Sequence, residues 1–142
     1  MRQIDGGRDD ADQTMNTVSG SGPEEDRAAV MGVLRGYLRV TDVRDQDAIA
    51  KSFDTTAVLN SVTAEGALKA MTQDEWWQRV SLIPTDSPPR QSTISLVEVV
   101  QAAAVARIDI TDAGGNSSSD LFTLQKLREG WRIVNKVLSV PL

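Results

Sequence analysis

Apolar positions along this chain change their period once, near residue 90. Before that point they recur at helical spacing; after it they alternate or run together in β-branched stretches. Val30, Leu34, Tyr37 and Leu38 stand at i, i+4, i+7 and i+8, one face of a helix predicted over about 23–40. Ser21 and Glu24 have capping-box spacing, Pro23 suits a first turn, and Glu24, Glu25 and Asp26 suit the positive end of a helix. A short second helix follows, with Asp45 as its expected cap and Ile49 and Phe53 one turn apart, and TAVLNSV (56–62) reads as a strand. Thr72 and Glu75 form a second capping box. It opens a helix on which Trp76, Val80 and Ile83 share a face, and which must stop before Pro84. The stretch TDSPP is a loop.

Four long strands are then predicted: QSTISLVEVV, AAAVARIDI after a turn near Gln101 and Ala102, DLFTLQKL after the turn cluster DAGGNSSS, and WRIVNKVL. Helices first and strands later predict one α+β domain, with helices against one face of a curved antiparallel sheet. Residues 1–20 are polar and glycine-containing and read as a flexible tail, leaving 21–142 as a single domain.

The last hairpin carries the functional expectation. A three-residue loop, Arg128 to Gly130, would place Leu127 across from Trp131, Gln125 from Ile133, Thr123 from Asn135 and Leu121 from Val137. Period-two alternation puts these eight residues on one face, which has no charge and three neutral polar groups. Buried polar groups left without partners cost about 1–3 kcal/mol each, and a lined cavity could supply those partners. The other face holds Phe122, Leu124, Lys126, Arg132, Val134, Lys136 and Leu138, a mixture suited to a partly covered surface. On the preceding strand Ala104, Ala106, Ile108 and Ile110 share the inner face, and Val105, Arg107 and Asp109 the outer.

Composition narrows the chemistry. The chain has 142 residues, 40% hydrophobic and 25% charged, with a net charge of −5. That charge disfavours phosphate backbones and anionic membranes, so neither nucleic acid nor membrane is an expected partner. There is no cysteine and no histidine. Thiolate chemistry, Ser-His and Cys-His nucleophiles and the commonest metal ligand are therefore excluded, and no metal site or cofactor is expected. With no apolar signal core at its start, the chain is expected to be cytoplasmic.

The order of elements, the segment KSFDTTAVL, the helix TQDEWWQRV and above all the ending DLFTLQKLREGWRIVNKVL resemble the nuclear transport factor 2-like superfamily, and within it the putative lumazine-binding protein family. The likeness runs from about Glu24 to Val140. It implies a cone-shaped, cystatin-like α+β fold with a pocket between helices and sheet. It also implies pairing through the sheet, here as a homodimer using Phe122, Leu124, Val134 and Leu138. The superfamily includes isomerases, cyclases, dehydratases and non-catalytic binding modules, so fold does not select an activity.

Candidate site residues are Tyr37, Asn60, Trp77, Thr123 and Asn135. Of Trp76 and Trp77, one should lie in the core and one at the pocket rim. Asp109 is expected to pair with Arg107, Glu98 to be solvated, and Asp120 to hold a turn or interface. The expected function is binding of a small, largely apolar molecule without catalysis. One alternative is a ketosteroid isomerase-like or polyketide cyclase-like isomerase or dehydratase with Tyr37 as electrophile. It requires a carboxylate within about 5 Å of the Tyr37 hydroxyl, its pKa raised by burial. The other alternative is a structural dimerisation module with a filled core.

Overall fold

The structure, a computed structural model, describes residues 18–140. Its elements run α1 (Glu24–Val43), α2 (Asp47–Ser52), β1 (Phe53–Val62), β2 (Leu68–Thr72), α3 (Gln73–Ser81), β3 (Gln91–Val100), β4 (Ala103–Thr111), β5 (Ser117–Leu127) and β6 (Gly130–Leu138). The strands form one curved, open sheet in the order β2-β1-β6-β5-β4-β3. Four of its pairings are antiparallel; β1 runs parallel to β6, so the sheet is mixed rather than wholly antiparallel.

The helices pack where their sequences turn apolar. Val30, Met31, Leu34, Tyr37 and Val40 of α1 are buried, and Trp76 and Val80 do the same for α3. These meet Phe53, Ala57 and Leu59 of β1, Ala104, Ala106, Ile108 and Ile110 of β4, and Phe122, Leu124, Trp131 and Ile133 of the last hairpin in one core. Such contiguous burial is the main favourable contribution to the fold. The Thr72–Glu75 capping box forms as expected, with Glu75 N–H donating to Thr72 Oγ1 at 3.1 Å and Thr72 N–H to Glu75 Oε1 at 2.9 Å.

The Ser21–Glu24 box does not form. Ser21 is held by Glu98 instead, its N–H and hydroxyl donating to the two carboxylate oxygens at 3.0 and 2.8 Å. Residues 18–20, expected in the tail, are held against β3 together with Ser21: Ser19 pairs with Leu96 in parallel, Val97 N–H donates to Ser19 O and Val99 N–H to Ser21 O, both at 2.9 Å. Val18 is buried, and Arg27 donates to its carbonyl and to that of Ser19. Glycine is needed at position 20, where φ is +105° and a Cβ would lie 2.2 Å from Val97 O. The remainder of the expected tail lies outside the described residues.

The last hairpin departs from expectation in the feature that matters most. Its loop is two residues, Arg128 and Glu129, so Leu127 pairs with Gly130, Lys126 with Trp131 and Leu124 with Ile133. The register then shifts, leaving Val134 as the extra residue of a bulge, and Thr123 faces Asn135 and Leu121 faces Val137 as predicted. The bulge reverses the parity of β6. Trp131 and Ile133 are buried ahead of it and Lys136 after it, all on the face of Asp120, Phe122 and Leu124. The expected faces of β5 are exchanged as well, because the loop is one residue shorter than expected while Trp131 and Ile133 stay inward. Thr123, Gln125 and Leu121 are exposed on the outer side, while Phe122 and Leu124 lie under the helices, cross-strand from Ala106 and Ala104.

Candidate functional site

A hollow of about 680 Å³ opens between the C-terminal half of α1, α3, residues 83–90 and the inner face of β4 to β6. Its apolar wall includes Trp76, Val80, Ile83, Ile110 and Leu138. The segment after α3 is strapped to the end of α1 by two arginines. Arg44, in left-handed conformation at the helix C-terminus, donates to Ile83 O at 3.2 and 3.3 Å; Arg90 donates to Thr41 Oγ1 at 2.7 Å and pairs with Asp42 at 3.2 Å. The consecutive prolines 88 and 89 keep that wall extended.

Three ionisable groups line the hollow together. Tyr37 projects from the third position of the α1 stripe, and its hydroxyl donates to Asp120 Oδ2 at 3.2 Å. Lys136 Nζ lies 3.7 Å from the same oxygen. It also sits 5.1 Å from the centroid of the Tyr37 ring and 5.2 Å from that of Trp76, two rings stacked at 5.6 Å. All three groups are nearly inaccessible, at 1% for Tyr37, 6% for Asp120 and 5% for Lys136. Burial pushes the Tyr37 phenol well above its ordinary value of 10.0, and the charge of Asp120 adds to this. Burial also pulls the Lys136 ammonium below its ordinary 10.5, against the opposing pull of Asp120. The cluster thus offers a carboxylate, a phenol that keeps its proton and an amine that holds its own less firmly.

Of the five residues expected at a site, Tyr37 lines this hollow. Asn60 borders a smaller one of about 180 Å³ that shares Trp76, Val80, Ile83, Lys136 and Leu138 with it. Trp77 packs against the core beside the wall that Trp76 forms. Thr123 and Asn135 sit on the opposite side of the sheet, where the Asn135 amide donates to Val58 O and Asn60 Oδ1, each at 2.8 Å. The reasons are the two-residue loop, which sets Thr123 on the outer parity of β5, and the bulge at Val134, which turns Asn135 outward on β6. Asp120 and Lys136, read as interface and surface residues, are the polar centre of the hollow. The available signal was the pairing of β5 with β4: if Ala104 and Ala106 face inward, so must Leu124 and Phe122, and Asp120 with them. Arg107 and Asp109 do pair on the surface, at 2.7 Å. Among the described residues no group of three or more acidic side chains could hold a metal ion, and no helix is long and apolar enough to cross a membrane.

This layout of helices around an open mixed sheet is the nuclear transport factor 2-like, cystatin-like α+β fold. The chain belongs to the family described as "Putative lumazine-binding", whose model matches residues 25–139. Among solved structures it is similar to a nuclear transport factor 2-like protein of unknown function from Shewanella baltica, with a TM-score of 0.74, 24% identity, and coverage of 84% of this chain and 96% of that one. A second such protein, from Methylobacillus flagellatus, gives 0.68 at 25% identity, covering 87% and 99%. A third, from Silicibacter pomeroyi, gives 0.71 at 23% identity, covering 83% and 98%. No curated protein matches the chain.

Proposed function

We propose that this protein binds a small molecule in the hollow beside Tyr37. The apolar body of the ligand would lie against Trp76, Val80, Ile83, Ile110 and Leu138, with one polar group reaching Tyr37, Asp120 and Lys136. The observation that carries this reading is the hollow itself. Its volume, about 680 Å³, falls within the usual range of ligand sites, and it joins an apolar wall to a few convergent polar groups. It is also far larger than the one or two waters a filled core would leave. The ligand is amphipathic rather than wholly apolar, because the apolar wall and the polar cluster of Tyr37, Asp120 and Lys136 border the same hollow.

The test is native mass spectrometry of the purified protein, followed by titration of flat heterocycles, lumazine among them, against tryptophan fluorescence. A retained molecule, or saturable quenching that Ser118→Phe abolishes by filling the hollow, supports the reading. Absence of any binding at millimolar concentration across the panel counts against it.

One observation favours a second reading, that of a proton-transfer enzyme. The Tyr37 hydroxyl lies 3.2 Å from a carboxylate, inside the reach that an isomerase or dehydratase needs. Asp120 would accept the proton and Tyr37 would donate to the carbonyl oxygen. Exchange of α-protons of a ketone into deuterated water, lost in Asp120→Asn, is the discriminating measurement.

We further propose that the outer side of the sheet pairs with a second copy of this chain. The residues are not those expected from the sequence: Phe122, Leu124 and Leu138 face inward. The outer side presents Val105 and Leu121, 44% and 46% exposed, beside Val134 and a shallow depression edged by Thr123 and Gln125. Sedimentation should give a dimer at micromolar concentration that Leu121→Lys converts to monomer; a monomeric wild type removes the proposal.

A further inference from the structure

Lys136 differs from the other three lysines in where its amine ends. Lys51 is exposed, Lys69 is half-buried on the edge strand β2, and Lys126 is an exposed residue paired with Asp26 at 3.0 Å. Lys136 alone lines the hollow, in both its main part and its side chamber. Its Nζ is held between two aromatic rings on one side and a carboxylate on the other. We propose that Lys136 is a nucleophilic amine that condenses with an aldehyde or ketone ligand in the hollow, forming an imine. This rests on the reading of the hollow as a small-molecule site and assigns the chemical class of the ligand.

The step balances with groups already in place. The nitrogen lone pair attacks the carbonyl carbon, and the proton this nitrogen sheds passes to Asp120, which returns it to the carbonyl oxygen. The remaining N–H proton follows the same route to the departing hydroxyl. That hydroxyl leaves as water while the nitrogen pair closes the C=N bond. One amine and one carbonyl give one imine and one water, with no change of oxidation state. Tyr37, a phenol that keeps its proton, can donate to the carbonyl oxygen as negative charge gathers there.

The charged surroundings bear on whether the amine is free to attack. Asp120 on β5 and the two rings favour the ammonium; burial and Arg90 disfavour it, and burial is the largest influence. For a lysine in a dry pocket this is the usual route to an amine that reacts near neutral pH.

The experiment uses the full chain, folded, with an aryl 1,3-diketone at neutral pH. Such a probe converts an amine to a coloured vinylogous amide with loss of one water and needs no reductant. Peptide mapping then locates the label. The free-amine fraction near neutral pH rises as an ammonium pKa falls, and Lys136 alone lines the hollow, so Lys136 should label ahead of the other lysines and carry most of the label. Lys136→Met should lose the label with its circular dichroism retained. Because the assignment comes from the wild type, it does not depend on that variant folding. Label confined to Lys51, Lys69, Lys126 or the terminal amine overturns the proposal. If the diketone quenches tryptophan fluorescence saturably yet leaves Lys136 unmodified, the imine is excluded and the binding site stands. If neither quenching nor label is seen, and the ligand panel also fails, both fall.

Discussion

Tyr37 is the single tyrosine of the chain, so a spectrophotometric titration of phenolate reads one buried group. Its pKa in the fold is raised above the ordinary 10.0, so above that pH the folded state binds the proton that the unfolded state has lost. Its contribution to stability is therefore complete below pH 10.0 and is lost as the pH climbs further. We expect no phenolate signal at pH 10.0 while the protein is folded, and its appearance together with unfolding at higher pH. A half-developed phenolate band in folded protein at that pH would place the hydroxyl in water instead. For the partner, Asp120→Asn removes the carboxylate that faces a buried ammonium and should cost about 3 kcal/mol in urea denaturation. Asp120→Asn combined with Lys136→Met should recover much of that loss, because the uncompensated charge is gone. At this scale Tyr37 was legible from helical spacing alone. Asp120 and Lys136 were not, because a charged side chain in an alternating strand points to the outer face. Two opposite charges can go inside together when each is the other's partner.

Among the elements, the two longer helices and the four strands after residue 90 were legible from period, and the Thr72–Glu75 box and the burial of Ala104, Ala106, Ile108 and Ile110 are as read. By contrast, β2 was not predicted, Phe53 opens β1 rather than lying on the short helix, and Asp45 does not cap that helix. What alternation could not show was a bulge. One extra residue at Val134 changes which side chains of β6 enter the core, and the sequence around it, apolar at 133, 134, 137 and 138, permits either parity. Inward placement of β4 could have arbitrated, since neighbouring strands must agree on which face is dry. The segment before α1 was missed for another reason: its pairing with β3 is made by backbone groups and by Arg27 and Glu98, which leave no apolar period. Gly20→Ala tests that segment. The substitution places a Cβ against Val97 O at positive φ and should destabilise by more than about 1 kcal/mol. The amides of Val97 and Val99, which donate to Ser19 and Ser21, should then exchange faster with deuterium; unchanged protection would mean the pairing survives.

For the molecule as a whole, helices and sheet divide the labour. The sheet supplies Asp120 and Lys136, α1 supplies Tyr37, and the strap of Arg44 and Arg90 fixes the wall that separates them from solvent. The short run from Val18 to Ser21 has a further effect on this assembly, because β3 is the last strand of an open sheet. Its outer amides and carbonyls would otherwise stand as a template for any passing strand. The chain shields that border with its own preceding residues and so keeps its ladder from recruiting neighbours. Removing residues 1–22 should therefore leave a protein that elutes as concentration-dependent aggregates in size-exclusion chromatography. Removing 1–16 should not, and equal behaviour of the two truncations would show that β3 protects itself.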